Sequence, residues 1–436
     1  MDNKSTHKIG TFTAFAIVVA NMIGTGVFTS LGFQLKNISN PSAVLSLWVL
    51  GGLLALSGAF SYVEIGTIIK KSGGEYRFLT ELFSPIIGYL AGWISLTVGF
   101  AAPIALASIA VVEYFPYSHL NPVISSILIV GIITLVHSIN LKSSSIFQNT
   151  STILKLILIV SLILIGIIKS SDYQIITNNT NFIYDFISPA FAIALIYVSY
   201  SYSGWNAAVY ITDELENPKK SLFTALVGGT AIVTIIYTLL QYIFLKHVPI
   251  TELVGQTDVG AIAAKKMLGD RIGNLFSLAI SLLLVSSISA MVWVGPRVTS
   301  AMAKDHPIWS YFRTSKNGIP IRALWFQFLL TAILLLTGTF EQILIYCGFL
   351  LTLSSMLTVL GVFKLRRNKP DINKNENTFK SPLFPLFQLI YVAFSIFMII
   401  FAIVEKPLET AFGLSNLLLG VLTWFIDLKL KKAHNE

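Results

Sequence analysis

The chain has 436 residues, of which 54% are hydrophobic and 12% charged, with a mean hydropathy of +0.75; a soluble domain carries about a quarter charged residues, so a water-soluble globule is excluded. The formal charge of +9 belongs to the loops of so apolar a chain and does not form a nucleic-acid patch. Twelve spans of roughly 20 residues take up about 240 residues, which leaves little room for a separate soluble catalytic domain, and a single cysteine, Cys347, excludes an internal disulfide framework.

Hydropathy predicts an all-α polytopic membrane protein with twelve transmembrane helices. The first six cover residues 11–34, 43–69, 86–114, 123–139, 152–168 and 187–212, and the second six start near Leu222, Ile272, Pro320, Glu341, Leu383 and Leu408. The turns around Thr339 and Lys406 are so short that ten or eleven spans remain an alternative count. Residues 1–10 form a polar tail, and the first apolar run lacks a small-residue cleavage pattern at its end, so it reads as a span and not as a removable signal. Residues 365–382 are a polar loop rich in Asn and Lys, residues 383–428 hold the last two helices, and residues 429–436 are a basic tail.

Charge sets the orientation. With the amino terminus in the cytoplasm, 22 of the 30 Lys and Arg fall in cytoplasmic segments and 7 in outer loops, and the remaining one, Lys155, lies inside span five. The excess places both termini in the cytoplasm.

Two spans carry glycine-interrupted polar stretches: Ile23-Gly24-Thr25-Gly26-Val27-Phe28 in span one and Tyr200-Ser201-Tyr202-Ser203-Gly204-Trp205-Asn206 in span six. Each alone reads equally well as close helix packing through small residues. The pair favours a binding site. If residues 11–169 and 187–364 are two five-helix repeats, the stretches stand in equivalent places, and the long links 70–85 and 246–271 become equivalent loops on opposite faces. An odd number of helices inverts one repeat against the other. A broken helix leaves backbone groups unpartnered at membrane depth, so they bind something there. The N–H groups of Thr25, Gly26 and Val27 begin a half-helix whose positive end favours a carboxylate, while carbonyls near Ile23, Tyr200 and Ser201 favour an ammonium.

On these stretches, and on Tyr62-Val63-Glu64-Ile65-Gly66 with Lys71-Ser72-Gly73-Gly74-Glu75-Tyr76, Glu216-Asn217-Pro218 with Lys219 and Lys220, and Gly295-Pro296-Arg297 with Ala301-Met302-Ala303-Lys304-Asp305, the chain resembles the amino acid–polyamine–organocation (APC) superfamily of amino-acid permeases. It is most similar to the L-type amino-acid transporter branch and its bacterial members. The resemblance implies a LeuT-type fold of 5+5 inverted repeats with helices one and six broken, and alternating access to a substrate at the breaks. It points to Gly24, Thr25 and Gly26 as the carboxylate cradle, to the Ile23, Tyr200 and Ser201 carbonyls as the ammonium site, and to Tyr200 as an aromatic gate. Tyr202, Ser203, Gly204 and Trp205 shape the pocket or anchor neighbouring helices.

Lys155 either snorkels to the cytoplasmic face or acts at depth, where a charge costs about 2.5–3.5 kcal/mol on insertion scales. In the resembling branch a Lys here takes the place of a sodium ion and bridges spans one and eight, which implies sodium independence; exchange and proton symport both stay open. Tyr237 matches a gating tyrosine, with ordinary aromatic packing as the alternative. Ser286, Ser287 and Ser289 either line the side-chain pocket or satisfy helix contacts, and Glu64, Arg297 and Glu113 read as structural. The histidines lack metal-ligand spacing, so no metal or other cofactor is expected. A membrane-embedded transferase has no supporting acid or histidine motif, and a channel favours a repeated pore loop. Nothing charged obviously enters the side-chain pocket, which points to a neutral L-amino acid, small or polar. The animal L-type branch is disulfide-linked to a heavy chain through a Cys after span three. Residues 116–122 hold no Cys, so the expectation is a monomer in a bacterial inner membrane, with lipid and amino acid as its only partners.

Overall fold

The computed structural model describes residues 8–115, 121–139, 144–171, 185–186, 188–313, 320–368 and 378–435. These residues are helical almost throughout; the one extended pairing among them is an isolated parallel bridge between Ile9 and Leu215. Several spans begin where the sequence sets a capping side chain before proline. Asn40 accepts from the Ser42 N–H ahead of Pro41, Ser188 from the Phe191 N–H ahead of Pro189, and Asn217 from the Lys220 N–H ahead of Pro218. Asn121 does the same before Pro122. The side chain satisfies an orphan donor and the proline occupies a position that needs none.

Among the described residues, ten helices are long and apolar enough to cross a membrane. The expected count of twelve therefore includes two spans that fall short by length. One is Ile321–Thr337, with 17 residues. The other is span six, expected as one run over 187–212, whose first residue lies outside the described residues. Its α-helix stops at Tyr202 after 14 residues, and after a turn at 203–206 the chain continues as a 3-10 helix, Ala207–Glu214. Fourteen residues rise only about 21 Å. Span eight also differs at its start. The helix runs from Val259 to Asp305 but is interrupted at Gly269, whose φ is 78°, so the expected loop before Ile272 contains a short helix of its own. The equivalent link between spans two and three likewise holds a helix, Gly74–Leu82.

Spans one and six touch at their breaks, spans two and seven lie together, and so do three and eight, and four and nine. Such pairs are what an approximate two-fold axis between two five-helix repeats would produce. Span five contacts spans seven and eight, and its counterpart span ten contacts two and three. At the breaks the directions are antiparallel: a side chain on Gly26 would meet Ser201, while one on Gly204 would meet Asn21.

Spans one, three and ten are mostly interior, whereas four, eleven and twelve turn Ile124, Leu128, Ile132, Leu389, Ile396, Leu418, Leu422 and Phe425 outward. A soluble monomer does not tolerate so continuous an apolar surface; here it faces lipid. The two ends of the bundle differ. At one, Lys8 donates to the Asp213 carbonyl, Ser72 bonds Asp213, Tyr76 meets Asp305 and His306, and His306 bonds Asp427 of the last helix. This end carries both ends of the described chain, Lys8 and the last turns of the final helix. Glu64 accepts from Nε and one Nη of Arg366, each at 2.7 Å, and Arg297 lies over the Trp293 ring. At the opposite end Glu341 collects Lys36, Lys406 and Tyr197.

Candidate functional site

Span one is broken into Thr11–Met22 and Gly26–Gln34. Gly24 N–H turns back to the Met22 carbonyl at 2.8 Å, and Thr25 O accepts from Phe28 and Thr29. Among the described residues the N–H groups of Thr25, Gly26 and Val27 meet no protein acceptor, so three donors are left open at the positive end of a nine-residue helix. Gly26 stands there because a Cβ would come within 2.5 Å of the Ser201 Cα; Gly24 is looser, with its nearest neighbour 3.9 Å away.

The break in span six faces this donor set. The Ser203 N–H bonds the Tyr200 carbonyl at 2.8 Å, and Gly204 takes a φ of 97°, a conformation that suits glycine. Tyr200 and Thr25, one from each break, both face the cavity between them. A cavity of about 580 Å³ opens at the breaks. Its wall includes Gly24, Thr25, Gly26 and Tyr200 through Asn206, and it runs along Ala20, Ala16, Thr13 and Ile9 towards the end that carries the termini.

The other side of the breaks is shut. Trp48 donates to Gln34 at 3.0 Å, Gln34 to Ser30 at 3.1 Å, and Ser30 pairs with Ser201 at 3.0 Å, a polar chain joining spans one, two and six. Beyond it Phe33 stacks on Phe340 with ring centres 5.5 Å apart.

Lys155 does not snorkel. It is 4% exposed, and its Nζ donates to Ser287 Oγ at 2.6 Å and to the Ile23 carbonyl at 3.4 Å, bridging spans five, eight and one. This alters the carbonyl set read from the sequence. Ile23 O is engaged by Lys155 and Tyr200 O by the Ser203 N–H, so the Ser201 carbonyl is the one of the three that meets no donor among the described residues. Tyr237 is fully buried outside the cavity wall, donates to the Met22 carbonyl at 2.5 Å and packs on Trp48 and Tyr202. Ser287 reaches the cavity; Ser289 bonds His137 at 2.8 Å, and Ser286 bonds back to the Leu283 carbonyl.

Three residues escaped the sequence reading. Gln241 donates to the Val27 carbonyl and Tyr114 to the Phe28 carbonyl, both at 2.8 Å, so side chains from spans seven and three tie onto the first turn of the second half-helix of span one. A glutamine in an otherwise apolar window was the available signal. The third is Glu75, which lies in the cavity wall and corrects the expectation that nothing charged enters it. Among the described residues grouped as potential metal ligands, no set of three His, Cys, Asp or Glu comes together.

A polytopic bundle with two opposed broken helices, open to one end and shut at the other, is the architecture of a secondary transporter. The family described as Amino acid permease matches residues 9–426, and the chain belongs to it. Among relatives, the b(0,+)-type amino acid transporter 1 of Mus musculus is 30% identical over 457 residues, covering 98% of this chain and 91% of the relative. The Large neutral amino acids transporter small subunit 2 of Mus musculus is 27% identical over 434 residues, covering 96% and 80%. The Asc-type amino acid transporter 1 of Mus musculus is 26% identical over 434 residues, covering 96% and 81%. The protein is thus an amino-acid transporter and not an enzyme.

Proposed function

We propose that the chain is a sodium-independent exchanger of neutral L-amino acids, small or polar ones such as Ala, Ser or Thr, working by alternating access. The observation that carries this is the pairing of free N–H groups at Thr25, Gly26 and Val27 with the Ser201 carbonyl across the cavity, which suits the carboxylate and ammonium of one amino acid. Glu75 is the one formally charged side chain among the described residues lining the cavity, and hydrogen-bond donors occupy its oxygens, which leaves no ionic partner for a charged side chain. The fixed ammonium of Lys155 against the Ile23 carbonyl supplies a positive charge where a bound cation would otherwise be needed. Termini in the cytoplasm and a bacterial inner membrane are part of this reading, as is action without a disulfide-linked partner. One relative is named a small subunit, but Cys347, the only cysteine here, is fully buried.

Counterflow in proteoliposomes tests the proposal. Labelled alanine or serine should enter only when unlabelled neutral amino acid is inside, at the same rate with and without sodium. Selective transport of arginine or glutamate, or accumulation driven by a pH gradient into empty vesicles, would overturn it.

A further inference from the structure

Glu75 sits at the start of the short helix Gly74–Leu82, outside the spans, and is 4% exposed. Its two oxygens collect donors from three other elements. Tyr62 of span two donates its hydroxyl to Oε1, Asn206 at the broken segment of span six donates to the same oxygen at 3.2 Å, and Ser354 of span ten donates to Oε2. Among the described residues no Lys, Arg or His pairs with it. An isolated buried carboxyl is costly in its charged form unless hydrogen bonds compensate; here they do, and all four elements meet beside the cavity.

We propose that the Glu75 carboxylate is a positioning residue for transport: in its ionised form it holds the broken segment of span six, through Asn206, against spans two and ten at the mouth of the cavity. Three donors make charge-assisted bonds to a carboxylate, whereas a protonated carboxyl must itself donate to one of the hydroxyls, which then reverses and accepts, and all the bonds become the weaker neutral kind. Protonation therefore weakens the ties that hold the broken segment. Among the described residues, the titratable groups that face Glu75 are hydroxyls: Tyr62 of span two, Tyr210 of the 3-10 segment that continues span six, and Tyr391 of span eleven. The charged side chains nearby are committed elsewhere. Arg77 pairs with Asp305, Glu81 with Lys71 and Glu64 with Arg366, Asp213 bonds Ser72, and Lys364 reaches the Phe83 carbonyl. Burial pushes the Glu75 carboxyl above the usual carboxylate range, against the opposing pull of its donors Ser354, Tyr62 and Asn206.

The inference rests on the exchanger reading, and the test separates the two, since exchange at pH 7.5 measures the reading and the shape of the pH profile measures the inference. Counterflow is followed as the pH on the cavity side is lowered. Wild type should lose rate as the carboxyl takes up its proton, at a pH above that of an ordinary carboxylic acid. Glu75→Gln should be about ten-fold slower at pH 7.5 and show no acid limb, while Glu75→Asp should keep the limb. Ser354→Ala keeps the test decisive if the Gln variant fails to insert. Removing a donor that favours the charged form must move the acid limb to higher pH, an effect that loss of packing does not produce. A wild-type profile without an acid limb, an acid limb retained in Glu75→Gln, or an unmoved limb in Ser354→Ala would overturn the proposal.

Discussion

At the scale of single residues, two glycines two positions apart in the same break should behave differently. Gly26→Ala drives a Cβ to within 2.5 Å of the Ser201 backbone, while Gly24→Ala brings its Cβ no nearer than 3.9 Å to anything. The first should abolish exchange with the protein still inserted, and the second should leave it within about two-fold, a difference read directly by counterflow. Lys155→Gln removes charge-assisted bonds to Ser287 and Ile23. Such bonds are worth about 1.5–3 kcal/mol, so the exchange rate should fall by roughly ten- to a hundred-fold; a rate within two-fold of wild type would show that the tie is dispensable. The sequence made these residues legible because glycine and lysine are exceptional inside apolar helices. Glu75 and Tyr114 were not legible in the same way, since what matters about them is a partner 131 and 86 residues away, and no local pattern encodes that.

At the scale of elements, a helix breaks where the sequence stops supplying good helix formers, so both interruptions were readable from Gly24, Gly26 and Gly204. Their ends were not. Span six stops at Tyr202 and resumes as a 3-10 helix because the turn bonds Ser203 to Tyr200 and Ala207 to Gly204, and hydropathy carries no trace of such bonds. The shut end is held by a second kind of tie. Glu341 at the start of span ten receives Lys36 from the end of span one at 2.6 Å, Tyr197 of span six at 2.7 Å, and Lys406 from the turn before span twelve at 3.0 Å. These groups are partly exposed and screened, so the network is worth on the order of 1 kcal/mol, enough to move a balance of conformations several-fold. In Glu341→Gln, a cysteine placed at Ala16 in the cavity wall should react with a water-soluble maleimide about five-fold more slowly, because the form open at that end is less populated. The background is silent since Cys347 is buried. Unchanged labelling would assign closure to the Trp48–Gln34–Ser30–Ser201 chain and the Phe33–Phe340 stack without the Glu341 network.

For the whole molecule, composition excluded a soluble protein and the charge map added a direction, and the structure connects that map to the cavity. The end with both termini, where Lys8, Arg77, Lys364, Arg366 and Lys431 make their contacts, is also the end towards which the cavity runs. Lys36, Lys169, Lys246, Lys266 and Lys406 hold the opposite end. Cytoplasmic segments carry the excess of Lys and Arg, so the cavity of this state should open to the cytoplasm. Two single cysteines check it in vesicles of known sidedness: Ala16→Cys in the cavity wall, and Thr251→Cys, which is exposed in the link after span seven at the other end. An impermeant maleimide should label Ala16→Cys from the cytoplasmic face, chiefly in inside-out vesicles, and Thr251→Cys only in right-side-out ones. Excess unlabelled substrate that carries the protein through its cycle should slow the first reaction and leave the second unchanged, since only the cavity position changes its exposure during alternating access. The reverse pattern of sidedness would mean that the charge asymmetry does not set the topology of this chain.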